Sequence, residues 1–220
     1  MGKTFTPGAD FLQVVDGLEP VRVSWPYSAE QRLIARAKRR AVLVGEAAPS
    51  GGQYVAGDVH WHLHRDELPA PPPLGTRIID GQGLRWTVLA VDQMAHDHRW
   101  RCHGRCLRIA MGLDASVTIQ RATWSKDAAG APRAVWSDWQ AGIAARIQPG
   151  ESVAGVESGR SATLATHTVL AELASPLEEL ANHRVVGPDG RLFEIVSVSQ
   201  QDRIDQLPVL QVRALATRVG

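Results

Sequence analysis

The sequence predicts a mainly β protein: two tandem small β-barrel or sandwich domains, the first with one added α-helix. Three observations lead there. Residues 77–94 (RIIDGQGLRWTVLAVDQM) return as residues 184–201 (RVVGPDGRLFEIVSVSQQ), an offset of 107. Arg77/Arg184, Gly83/Gly190, Val91/Val198 and Gln93/Gln200 are identical, and Trp86/Phe193 and Val88/Ile195 stay apolar. What repeats is a whole unit: an apolar strand start, a polar turn with glycine, then a strand opening on an aromatic residue. His60 meets His167 at the same offset, which extends the register upstream. Second, 220 residues with 44% hydrophobic content accommodate two domains of about 100 residues each, and the repeat places them at 1–112 and 113–220. Third, short apolar runs punctuated by 20 Gly and 13 Pro favour barrels or sandwiches over a parallel sheet.

Each element follows in order. Residues 21–24 (VRVS) read as a short strand ended by Trp25-Pro26. From Ser28 the run SAEQRLIARAKRR has an N-cap serine, Glu30 in its first turn and basic residues toward its end, which predicts the added helix. Residues 54–63 alternate as a strand, and 69–73 form a stiff proline connector. Strands are expected near 77–79, 84–91 and 100–109, with the domain junction at 110–114. In the second half, 117–124 and 134–139 flank the turn residues 126–130 and read as a hairpin. Residues 141–147 alternate and stop at Pro149-Gly150, 161–173 form a long strand, and 207–215 close the domain.

Composition excludes several classes. Twenty-four basic against 23 acidic residues leave almost no global field, so the chain is not a dedicated nucleic-acid binder. No run approaches the ~18 apolar residues of a membrane span, and the N-terminus lacks the apolar core of a secretory signal, so a soluble protein with no membrane partner is expected. Cys102 and Cys106 are the two cysteines, too few for a disulfide framework.

Across residues 114–216, Val117–Arg121, the Asp127–Gly130 turn, Trp136–Trp139, Ile147–Glu151, His167, Asn182–Val186 and Asp189–Ile195 occur as an ordered set. This succession resembles the tailed-bacteriophage head-tail joining family of connectors, stoppers and adaptors. The resemblance implies a small β-barrel that self-associates into a ring around the DNA channel between portal or adaptor ring and tail. It implies assembly without covalent chemistry, no cofactor, and residence in the virion after assembly in the bacterial cytoplasm. The first half departs from the pattern: the hairpin is expected to be replaced by the 21–24 strand and the basic helix.

Within that frame, Gln148 to Arg160, rich in small residues, is expected to be a loop reaching a neighbour or the channel, with Glu151 and Arg160 available for inter-subunit ion pairs. Trp136 and Trp139, three positions apart, point to opposite strand faces, leaving one as an exposed interface anchor, unless a strand bend admits both to the core. Arg32, Arg36, Arg39 and Arg40 on the expected helix either contact phosphates of passing DNA without sequence preference or form a solvated face. His60, His62 and His64 alternate on a strand and so share one face. They either supply three nitrogen ligands to a metal in a monomeric binding module, with Cys102 and Cys106 as soft additions, or form a polar strand face. His96 and His98 read as a solvated turn. No ordered set of nucleophile, base and oxyanion donors is present, and an enzyme is not expected.

Overall fold

A computed structural model describes residues 16–26, 28, 30–93, 98–157, 160–177, 179–199 and 203–215, with backbone alone for 151–164. The chain divides into two compact units, Met1–Ala110 with Arg203–Asp205, and Met111–Asp202 with Gln206–Gly220. Each contains a closed six-stranded barrel.

The first unit contains β1 (Leu18–Ser24), β2 (Gln31–Ala41), β3 (Val59–His64), β4 (Arg77–Ile79), β5 (Arg85–Gln93) and β6 (Arg99–Arg105), closed in the order β1-β2-β3-β6-β5-β4. The second contains β7 (Ala115–Lys126), β8 (Pro132–Glu157), β9 (Arg160–Ala171), β10 (His183–Val186), β11 (Leu192–Ser199) and β12 (Val209–Ala214), closed as β7-β8-β9-β12-β11-β10. Every pairing within each barrel is antiparallel. Replacing each of β1–β6 by the strand six later turns the first order into the second, so the sequence repeat is a repeat of topology.

The repeat is also one of irregularities. A bulge places Leu89 between the pairs Val88↔Gly104 and Ala90↔His103, and another places Val196 between Ile195↔Val212 and Ser197↔Gln211. Those two residues are 107 apart. The preceding turns match as well: Gly83 and Gly190 both sit at φ +79°, where a Cβ is strained, which is why this position stays glycine. Each core takes the same motif positions inward, Ile78, Trp86 and Val88 in one and Val185, Phe193 and Ile195 in the other.

The match does not reach His60. Val59, Trp61 and Leu63 enter the first core, so His60 points out of its barrel. His167 pairs with the core residue Val212 and lies edge-on to Phe193 at 5.2 Å, so it points in. The two histidines share an offset without sharing a face.

The helix expected from Ser28 is absent: the run is β2, hydrogen-bonded to β1 on one side and β3 on the other. Its apolar Ile34 and Ala37 have helical spacing because of a bulge. Glu19↔Ala37 and Val21↔Ile34 put one extra residue into β2, so side chains three apart face the same core. The N–H groups of bulge residues Ala35 and Arg36 donate to the Glu67 carboxylate at 2.5 and 3.4 Å. Ser28 accepts from Glu30 N–H at 3.0 Å in a local turn instead of capping a helix. Barrel closure, which satisfies both edges of β2, outweighs local helix propensity. The helix added to the first barrel is instead α1 (Val44–Ala47), its start tied by the Leu43 N–H to Glu46 at 2.9 Å, and a further turn, α2 (Leu107–Ala110), follows β6.

Two more expectations change. The first half keeps its hairpin, β1–β2, in shorter form than β7–β8, where pairing runs out to Lys126↔Pro132. The expected loop from Gln148 to Arg160 is strand: β8 passes through Pro149 to Glu157 and pairs with β9 down to Glu157↔Arg160. Proline cannot donate to a ladder, and the register shift between Pro149 and Val153 absorbs that loss.

Candidate functional site

The outer face of β2, β3 and β6 carries a cluster of histidines and basic side chains. On β6, Trp100 and Cys102 join the core while Arg99, Arg101, His103 and Arg105 alternate outward. Register sets Arg40, His60 and His103 side by side, then Lys38, His62 and Arg101, then His64 and Arg99. His60, His62, His64 and His103 are all nonetheless buried, at 4, 9, 1 and 3% exposure. Tyr54 covers one end, its ring edge-on to His60 at 5.5 Å and to His103 at 4.7 Å.

At that end Asp58, 1% exposed, is held on four sides. It accepts from Arg105 Nε at 2.9 Å and Nη2 at 2.8 Å and from Val55 N–H at 3.0 Å, and pairs with His103 Nε2 at 2.8 Å. Burial raises the Asp58 pKa, but the bonds from His103, Arg105 and Val55 outweigh it and hold the carboxyl at about 2. Asp58 in turn raises Arg105. Grouping residues 102–106 by their cysteines hides this network in the sequence. The alternation of Arg99, Arg101, His103 and Arg105 is the signal that could have found it.

The three imidazoles of β3 share a face, as their spacing requires, but do not converge on one point. Among the described residues no three His, Cys, Asp or Glu side chains converge on a common point. Burial, then Arg101 and Arg40, lower the pKa of His60; burial, then Arg99, His60 and Arg101, lower that of His62 to about 4. Neutral imidazoles suit metals, yet guanidinium neighbours repel a dication. The cysteines add nothing: Cys102 faces the core with its thiol pushed up to about 12 by burial, far from a thiolate, and Cys106 is also buried in the core. His60 Nδ1 and His62 Nδ1 are buried with no hydrogen-bond partner among the described residues, a cost of about 1–3 kcal/mol each. His64 differs, its Nδ1 accepting from Asp66 N–H at 3.2 Å in the turn that ends β3.

The four arginines assigned to a helix lie on β2. Arg32 is exposed opposite Val23, and Arg36 is exposed at the bulge. Arg39 faces inward at the barrel mouth, pairing with Asp80 at 3.0 Å and Glu19 at 3.3 Å, its guanidinium 5.6 Å from the Trp61 ring and 5.8 Å from Trp86. Trp86 Nε1 donates to the same Asp80 oxygen at 3.0 Å. Arg40 pairs with Glu46 at 2.8 Å. The strand thus splits the cluster, and Arg39 and Arg40 have carboxylate partners within the unit.

In the second unit, Trp139 occupies a bulge between Ile119↔Gln140 and Gln120↔Asp138, which turns its half-buried ring onto the core edge, 5.0 Å from His183. Trp136 is half-buried under the Arg184 guanidinium at 4.3 Å. The bulge turns Trp139 to the core edge and Arg184 covers Trp136 outside the core, and the exposed tryptophan is Trp124, at 58%, its Nε1 donating to Asn182 at 3.0 Å. Gln148 is half-buried, its amide oxygen turned to accept from Arg146 Nη2 at 2.7 Å and Nε at 3.1 Å. Glu151 and Arg160 lie on the β8–β9 ribbon, Arg160 opposite Glu157, with side chains outside the described set. His96 is likewise outside the described residues.

No helix is long and apolar enough to cross a membrane. No family model matches the chain, and no curated protein matches it. Among solved structures, a crystal structure of MrkH from K. pneumonia is similar at 10% identity over 97% of this chain and 88% of that one, with a TM-score of 0.16, too low to carry an argument about fold or function.

Proposed function

We propose that this chain is a structural virion protein of the portal-tail junction of a tailed phage or prophage, a head-tail connector, stopper or adaptor that self-associates into a ring around the DNA channel. One observation carries the reading. The residues of the ordered resemblance occupy consecutive elements of the second barrel: Val117–Arg121 on β7, Asp127–Gly130 in its turn, Trp136–Trp139 and Ile147–Glu151 on β8, His167 on β9, Arg184–Val186 on β10 and Phe193–Ile195 on β11. A collinear motif that maps strand by strand onto one closed barrel is what a shared fold produces; function follows by analogy with the family.

The working parts are then surfaces. Beyond His167, where pairing with β12 ends, β8 and β9 continue as a two-stranded ribbon to Glu157↔Arg160. The β7–β8 ribbon likewise runs past the last β10 rung at Arg121↔His183 and presents exposed Trp124 and Val135. Such ribbons reach neighbouring subunits, portal or adaptor, and tail proteins, and passing DNA meets the ring without base recognition. The protein itself does no covalent chemistry.

Deleting the gene from an inducible particle-forming lysogen is expected to leave DNA-filled heads and free tails that do not join, and restoring it in trans rejoins them. Normal yields of joined particles in the deletion would overturn the reading.

A further inference from the structure

We infer that the outer face of β2, β3 and β6 holds a binding site for a small multivalent oxyanion of the phosphoryl class, seated between His60 and His62 and ringed by Lys38, Arg40, Arg99 and Arg101. Two independent observations meet there. The Nδ1 atoms of His60 and His62, on side chains more than nine-tenths buried, have no partner among the described residues. Buried polar atoms in native proteins are nearly always satisfied, so two unpartnered imidazole nitrogens on one strand face can each take a hydrogen bond from a ligand seated there or give one to it. The second observation is charge. Lys38 and Arg101 flank His62 in register, Arg40 flanks His60, and Arg99 and Arg101 act on His62 through space.

Charge also selects the ligand. A metal cation would sit among ammonium and guanidinium groups; an anion is attracted by each of them and accepts from an imidazole Nδ1–H. Of the nearby carboxylates, Glu46 pairs with Arg40 at 2.8 Å, Asp92 with Arg101 at 2.7 Å and Asp58 with Arg105 at 2.8 Å, while the exposed Asp66 lies 3.5 Å from His64 Nδ1 at the far end of the row. Lys38 donates to the uncharged backbone carbonyl of Asp16, which leaves its positive charge uncompensated by that bond. The arginines are long enough to keep these partners and still turn spare N–H donors inward. Neutral imidazoles and planar guanidinium forks together match the tetrahedral face of a phosphoryl group. This inference stands apart from the head-tail reading, since it concerns the first unit and needs no ring.

Titration of the full chain with sodium pyrophosphate at pH 7 tests it, against sodium chloride at equal ionic strength. Pyrophosphate is expected to raise Tm saturably by about 5 °C and to move the imidazole nitrogen NMR signals of His60 and His62. Replacing both Lys38 and Arg101 by Gln should weaken the titration by about tenfold or more. The unmodified protein's histidine signals decide between the outcomes even where the variant folds poorly. Three results would overturn the inference: no saturable response, an equal response to sodium chloride, or zinc chloride moving both histidine signals where pyrophosphate does not.

Discussion

Asp58, just ahead of β3, and His62, on it, have opposite needs, and acid should separate them. Asp58 is ionised in the fold with its pKa lowered from 3.8 to about 2, so its contribution is complete above about pH 4 and is lost as pH falls through 2. That shift corresponds to about 2 kcal/mol. His62 is neutral in the fold with its pKa lowered from 6.5 to about 4. The unfolded chain therefore binds the extra proton first, and stability is lost from about pH 6.5 down to 4. Thermal unfolding from pH 8 to 2 should show two successive losses. His62→Gln is expected to shrink the upper one, leaving the part His60 contributes, and Asp58→Asn the lower one; a single loss near pH 4 in all three proteins would refute the assignment. At pH 7, Asp58→Ala should cost about 3 kcal/mol in urea unfolding, because it strands Arg105 and His103 without their acceptor.

At the scale of the element, the bulges in β2, β5, β8 and β11 explain both what the sequence disclosed and what it concealed. Period-two alternation reveals β3 and the stretches of β5 and β11 that precede their bulges at Leu89 and Val196, and the glycine turns reveal the hairpins β4–β5 and β10–β11. Bulges break the alternation, and there the pattern misleads. In β2 a bulge spaces Ile34 and Ala37 three apart, which imitates a helix when flanked by Ser28, Glu30 and a run of arginines. In β8 the bulge at Trp139 defeats face assignment by parity. The histidine face is legible because β3 is regular, and Asp58 and Tyr54 lie just ahead of it in the chain, whereas His103 and Arg105 come from β6 and only strand pairing brings them there. Glu67 is the local support for the β2 bulge. Glu67→Ala should destabilise the first unit by about 1 kcal/mol, while Glu67→Gln, which keeps an acceptor for the Ala35 N–H, should retain most of that stability. Equal losses for the two would show that carboxylate charge, not bulge capping, matters. The matched turns make a paired test: a Cβ at Gly83 or Gly190 meets nothing within 4 Å, so Gly→Ala at each should cost about 1 kcal/mol through backbone strain alone, alike in both halves.

For the whole molecule, two barrels of one strand order in a single chain set a stoichiometry for any ring that uses both. Native mass spectrometry of assembled particles or reconstituted rings should then count half as many chains as barrel positions; one chain per position would show that only one barrel takes a place in the ring. Tandem copies of a fold also carry a hazard during folding, because a strand from one copy can seat itself in the other. The opposite facing of His60 and His167 bears on that error. If β3 took the place of β9 with His60 where His167 belongs, His60, His62 and His64 would turn into the second core and Trp61 and Leu63 would turn out of it. In that register the exchange would bury three imidazoles and expose Trp61 and Leu63, a cost that counts against the misassembly the repeat invites.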